Sequence, residues 1–142
     1  FTTELYATNT DPNPRIAQAL QQDLAAVGVP AELRTQAQST VIAAGGEPEG
    51  APMIWSGGMA WIAHYPDPSN FYWPILSCAA ATPGGWNWAW YCNEDLDAQA
   101  AAADAMVRPD QTEARAAAWA DIYTSLMDDA PWVPVFNETR YT

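Results

Sequence analysis

The chain contains no lysine, and its five arginines stand against seventeen aspartates and glutamates. A net charge of −12 argues against nucleic acid or an anionic membrane surface as partner, because phosphate binding draws on clustered cations. Apolar runs of about 18 residues, long enough to cross a bilayer, are also missing, so no membrane span is expected. No basic stretch followed by an apolar one opens the chain, as a secretory leader would. The abrupt start at FTTELYA and the stop at NETRYT, each beside a predicted strand, give the expectation that both ends are cut from a longer protein. On that expectation the missing leader does not argue for the cytoplasm.

Chemistry-bearing motifs are scarce too. There is no GxSxG elbow, no HExxH and no glycine loop to cradle a phosphate. A zinc site wants four ligands at short paired spacings, and the chain has one histidine and two cysteines. No enzyme, metal or cofactor is expected. His64 and Asp67, three apart, have the residue types of an acid–base pair but no nucleophile or orienting group beside them. Between two prolines, Asp67 is better suited to accepting backbone N–H groups and holding a turn. Cys78 and Cys92 flank a loop containing Pro83, Gly84 and Gly85. Their spacing leaves a catalytic thiol open but favours a disulfide, which would contribute about 3 kcal/mol in the loop-entropy model and indicate an oxidising compartment.

What the chain does have is aromatics: eight tryptophans in 142 residues, a length that points to a single domain over 1–142. TTELYAT alternates as a strand. Asn13 is expected to cap the following helix, with Pro14 in its first turn and Ile16, Leu20, Leu24 and Val27 on its buried face. Gly28 stops the helix, and VPAELRTQ reads as a second strand, making a strand–helix–strand unit that favours parallel pairing. STVIAA admits a helical turn or a loop. PMIWSG reads as a short buried strand. The stretch GGMAWIAHYPDPSNFYWPILSC leaves its C-terminal end, where ligands bind in open α/β sheets, and looks too broken for a helix. Further on, Asn93 caps a helix with Glu94, Asp95 and Asp97 in its first turn, continuing through Met106. Asp110 and Glu113 suggest a capping box for a last helix with Ala118, Ile122 and Leu126 buried, flanked by Arg115 and Trp119. PWVPVF then reads as a strand. The order indicates an α/β layer architecture. Trp119 and Trp132 fall on core faces, whereas Trp61, Trp73, Trp86, Trp88 and Trp90 lie in loop-like sequence, where aromatics contact ligands.

Taken together, WIAHYPDPSNFYWPILSC, WNWAWYCNEDLDAQ and DDAPWVPVF resemble the C-terminal lobe of bacterial extracellular solute-binding proteins, family 5, the dipeptide, oligopeptide and nickel class of ABC importers. The family patterns G-W-x-x-D-Y-P-D-P-x-N-F, Y-x-N-x-x-x-D, E-x-R and D-x-A-P-x-x-P-x-F correspond to residues 61–71, 91–97, 113–115 and 129–136. TELYATNTDPNPRIAQALQQDLAAVGV is similar to the family's opening pattern. The resemblance implies an α/β fold, one lobe of a type II periplasmic-binding-protein-like receptor with a mixed sheet flanked by helices. It further implies a peptide or other small polar solute, a missing N-terminal lobe, an ABC permease as partner, and a periplasmic or cell-surface location. It supports a Cys78–Cys92 disulfide. It places Trp61, His64, Tyr65, Asp67, Phe71, Trp86 and Trp88 at the lip of the solute site, with Asp67 and the prolines as scaffold. One departure stands out: relatives commonly carry an aspartate at the position of His64, where it anchors a peptide's ammonium group. A histidine has no fixed negative charge to offer. Readings from other classes are a stand-alone carbohydrate-binding module using the loop tryptophans, and the sensing lobe of a signalling system.

Overall fold

A computed structural model describes residues 2–57 and 61–135. They form two compact units, Phe1–Cys92 and Asn93–Thr142. The first is built on a parallel three-stranded sheet in the order β2-β1-β3: β1 (Thr3–Thr8), β2 (Ala31–Gln36) and β3 (Met53–Ile54). Helix α1 (Asn13–Ala26) connects β1 to β2, as the strand–helix–strand reading expects. Leu5 pairs in register with Leu33 and Met53, so all three point to one face. There Leu5, Ala7, Ala17 and Ala31 form a core, joined by Leu20, Leu24, Leu33, Met53 and Trp55.

Helix α1 turns Leu20 and Leu24 toward the core as its periodicity suggests, with Ala17 on the same face, but Val27 does not join them. Ala17 is fully buried and Val27 is 75% exposed. The helix ends at Ala26, which leaves Val27 as its cap, turned away from the sheet. Gly28 takes φ +85° as expected, and the chain closes in a Schellman motif: the Gly28 N–H donates to Ala25 and the Val29 N–H to Leu24. Asn13 does not cap α1. It is the first helical residue, with Pro12 in the capping position. Its amide instead donates to Thr8 Oγ1 (2.7 Å) and accepts from Trp55 Nε1 (2.9 Å), because the buried end of β1 needs a polar partner there. The exits of β1 and β3 are thereby tied to the start of α1.

The ambiguous STVIAA segment lies within a helix, α2 (Gln38–Gly45). A second helix was unexpected: α3 (Ser69–Ile75) lies inside the stretch that looks too broken for one. Pro68 starts it and Asp67 Oδ1 accepts the Ser69 N–H (2.9 Å), so the prolines and aspartate that read as breakers act as its N-terminal signal. Residues 58–60 of that stretch lie outside the described residues. Cys78 and Cys92 form a disulfide.

In the second unit, α4 (Glu94–Asp104) is capped by Asn93, whose side chain accepts the Leu96 N–H. It packs on α5 (Thr112–Asp129) through Leu96, Ala100 and Ala103 against Trp119, Ile122 and Leu126. Asn93 bonds Asp129 at one end and Arg115 pairs with Asp104 at the other, so the helices run antiparallel. The expected Asp110–Glu113 capping box does not form. Arg108-Pro109 opens a 3-10 turn (Pro109–Gln111) instead. The Arg108 N–H donates to Gln111 Oε1, and Asp110 is drawn to the Arg108 guanidinium. Residues 131–135 form no strand. Pro131 and Pro134 lack N–H donors, and Val133 and Val135 are 82% and 56% exposed. Phe136, the last residue of that expected strand, lies outside the described residues.

Candidate functional site

Two segments of the first unit bring most of the sequence-singled aromatics together. The first leaves β3 and runs from Trp61 into α3. The second is the loop closed by Cys78–Cys92. Trp61 meets the His64 ring edge-on, with centroids 5.3 Å apart and planes at 81°. It meets Trp86 at 6.5 Å and 66°. Trp86 stacks on Trp88 at 5.4 Å and 24°. Trp61, His64, Trp86 and Trp88 therefore form one continuous aromatic strip. Trp86 is 41% exposed, giving the strip an accessible face of the kind that stacks on an apolar or planar group.

The far end of the strip is wedged into the fold. Trp88 lies so close to Gly45 that a Cβ there would stand 2.7 Å from its ring, and Ile54 lies beside the same point. Only glycine at position 45 leaves room for this indole. Trp90, which the sequence groups with the ligand-facing tryptophans, sits at φ +51° and donates its indole N–H to Gly45 O (3.3 Å). Trp73 stands perpendicular to the fully buried Tyr72, at 5.3 Å.

Two buried asparagines, which sequence reasoning passed over, hold these segments. Asn87 is 2% exposed and separates the stacked tryptophans in sequence. Its amide donates to Ser77 O (3.0 Å) and Tyr91 O (2.8 Å) and accepts the Tyr91 N–H (3.3 Å). Ser77 and Tyr91 are the neighbours of the two cysteines, so amide and disulfide close the same loop side by side. Asn70, in the first turn of α3, accepts from Trp61 Nε1 (3.1 Å) and the His64 N–H (2.9 Å). The available signal was positional: each asparagine sits among aromatics or prolines, where a polar residue is there to satisfy backbone groups.

The remaining expected residues lie at the margins. The Tyr65 hydroxyl stands 3.4 Å from Ser69 Oγ, either able to donate, and its ring is half exposed. Phe71 presents a 38% exposed side chain from α3. Neither ring joins the strip among the described residues. Asp67 bonds the Ser69 N–H with its carboxylate while its carbonyl accepts from Asn70, the turn-holding role its proline neighbours suggest. Among the described residues the His64 ring makes no hydrogen bond or ion pair, and no group of three or more metal-ligating side chains occurs.

The model of bacterial extracellular solute-binding proteins, family 5 Middle, matches residues 1–83. A curated relative, Di/tripeptide-binding protein 4 of Pseudomonas aeruginosa (strain UCBPP-PA14), is 33% identical over 141 residues, covering 94% of this chain and 25% of that protein. Among solved structures, the periplasmic binding protein DppA from Helicobacter pylori in complex with the peptide STSA aligns with a TM-score of 0.81 at 26% identity, over 94% of this chain and 25% of its own. A dipeptide-binding protein from Pseudoalteromonas sp. SM9913 in complex with Met-Leu gives 0.73 at 27% identity, over 92% and 25%. The chain thus spans about a quarter of the length of these relatives. Its parallel sheet and helices have the α/β fold of a single lobe of such receptors, a family of binding proteins and not of enzymes. With more than half of its length matched by the family model, the chain belongs to the bacterial extracellular solute-binding proteins, family 5.

Proposed function

We propose that this chain is the C-terminal, solute-clasping lobe of an ABC importer receptor, and that it contacts a peptide-like solute through the strip Trp61–His64–Trp86–Trp88. Tyr65, Asp67 and Phe71 would form the rim of the same site. The observation that carries the reading is the strip itself: an exposed indole backed by three further rings, on segments held by a disulfide and two buried asparagines. Preorganised aromatic surface of this kind binds without a large ordering cost. The names of the relatives supply the solute class, di- and tripeptides. The partner lobe, the permease and a periplasmic or cell-surface location belong to the same proposal, and the disulfide suits such a compartment.

The test is titration of the two-lobed receptor with Met-Leu, followed by tryptophan emission and calorimetry. A saturable emission change with micromolar affinity is expected. The isolated chain offers only part of the contacts, so its affinity is expected to be weaker than about 1 mM. Micromolar binding of glycans by the isolated chain, with no response to Met-Leu in the two-lobed receptor, would overturn the reading in favour of a stand-alone carbohydrate-binding module.

A further inference from the structure

We infer that Asn70 is a positioning residue of this site: one buried amide oxygen couples the Trp61 indole to the His64 turn, so that ring and turn keep one fixed geometry toward a solute. Asn70 is 6% exposed and lies in the first turn of α3. Its Oδ1 accepts from Trp61 Nε1 at 3.1 Å and from the His64 N–H at 2.9 Å. An indole N–H and a backbone N–H can only donate, so both partners require the oxygen of the amide on their side. A carbonyl oxygen has two lone pairs, and here both are committed to the strip.

The division of labour along Asp67-Pro68-Ser69-Asn70 supports this role. Asp67 closes the turn and starts the helix, taking the Ser69 N–H on its carboxylate and the Asn70 N–H on its carbonyl. The Asn70 oxygen is not needed for that turn. It reaches back to residues 61 and 64, the two whose rings touch edge to face. Removing it leaves α3 with its N-terminal contacts but frees Trp61 from His64, and Trp61 is the ring through which His64 meets Trp86. Trp61 and His64 are then free to reorient separately.

The effect on affinity rests on the solute-binding reading above; the coupling does not. The experiment therefore reads both, using the whole chain labelled with nitrogen-15 for exchange and the two-lobed receptor for binding. In the wild type the Trp61 indole proton and the His64 amide proton are both expected to be protected from hydrogen exchange. In Asn70→Leu, which has similar volume and no acceptor, both should exchange about tenfold faster, as loss of one hydrogen bond implies. The Tyr91 amide, held by Asn87, should be unchanged. Asn70→Asp keeps an acceptor oxygen and should retain protection of both protons. In the receptor, Met-Leu affinity should fall about tenfold in Asn70→Leu and recover in Asn70→Asp. Wild-type exchange of either proton at the rate of an exposed N–H overturns the inference, and does so even if Asn70→Leu fails to fold. Unchanged protection in a folded Asn70→Leu overturns it as well. A wild-type receptor that ignores Met-Leu removes the peptide reading while the exchange data still decide the role of Asn70.

Discussion

Trp86 and Trp88 stack at 5.4 Å, and Asn87, which separates them in sequence, is buried. Trp86 presents an exposed ring, Trp88 is wedged against Gly45 and Ile54, and the Asn87 amide is bonded to the backbone of Ser77 and Tyr91. The two rings have different tasks. Trp86→Ala removes a partly exposed ring and is expected to destabilise less than Trp88→Ala, while weakening Met-Leu binding by the roughly two- to twelvefold that about 0.5–1.5 kcal/mol of aromatic contact represents. Trp88→Ala leaves a cavity against Gly45 and Ile54, and should destabilise by about 3 kcal/mol. Urea melts paired with calorimetry separate the two effects.

The Cys78–Cys92 bond and the Asn87 amide close the same loop. Thiol titration of the unfolded, unreduced protein from an oxidising compartment should find no reactive thiols. A Cys78→Ser/Cys92→Ser double variant loses about 3 kcal/mol in the loop-entropy model, yet keeps Asn87 bonded to Ser77 and Tyr91. It is expected to remain folded with its tryptophan stack intact by near-UV circular dichroism. Asn87→Ala, with the disulfide present, removes the three hydrogen bonds of a buried side chain, each worth about 0.5–1.5 kcal/mol net, and should perturb that spectrum more.

On the sheet face opposite the Leu5 core, Tyr6 stands in register with Arg34 and Glu4 with Glu32. The two carboxylates would repel across the strands, and Arg34 relieves this by bonding Glu4 (2.8 Å) and Glu32 (3.1 Å). The Arg34 hydrogen bond holds the Glu4 carboxyl below its ordinary range, helped by the Tyr6 hydroxyl. The same Glu4 contact pushes Tyr6 and Arg34 up. A carboxyl that is lower in the folded state contributes stability above its unfolded value and loses that contribution as pH falls through its folded one. The loss should therefore lie below about pH 4.3. Arg34→Met should return Glu4 toward the ordinary range in a carbon-13 NMR titration and move the acid unfolding transition to higher pH.

Ala130 ends α5 at φ +51°, in the left-handed region where a Cβ is strained. Its N–H still reaches Leu126 and Met127. Ala130→Gly keeps those bonds and relieves the strain at the cost of chain entropy. A net gain of about 0.5–1 kcal/mol is expected, seen as a raised midpoint in urea.

Periodicity and punctuation in the sequence carried the first unit's framework: Gly28 as stop, the parallel β1–α1–β2 unit and the strand at Met53–Ile54 all stand where the pattern puts them. What failed was side-chain chemistry for which other partners, near or far in sequence, compete. Asn13 looks like a cap until Thr8 and Trp55 compete for its amide. Asp110 looks like one until Arg108, two residues away, claims its carboxylate. The α3 helix was hidden because proline signals a break and a helix start alike. The loop tryptophans are visible as candidates in the sequence, but that Trp61, Trp86 and Trp88 form a strip without Trp73 and Trp90, on segments bonded by Asn70 and Asn87, is something no local pattern reveals.

His64 is the exposed polar member of the strip, its ring bonded to no other described side chain and its backbone fixed by Asn70. The resemblance of its motif to the family's implies a position where a carboxylate would meet a peptide's ammonium group. His64→Asp in the two-lobed receptor would supply that charge. A charge-assisted hydrogen bond is worth roughly 1.5–3 kcal/mol net, so free-N-terminus Met-Leu should bind about tenfold tighter or better. N-acetyl-Met-Leu presents no ammonium and should gain little. The substitution leaves the backbone bond to Asn70 in place, so stability should change by less than about 1 kcal/mol and the affinity change can be read directly. Calorimetry with both peptides against wild type and variant gives four constants, and their double difference isolates the ammonium contact. A double difference near zero would mean that the position 64 side chain does not reach the solute's terminus, and that the strip recognises peptides through its rings alone.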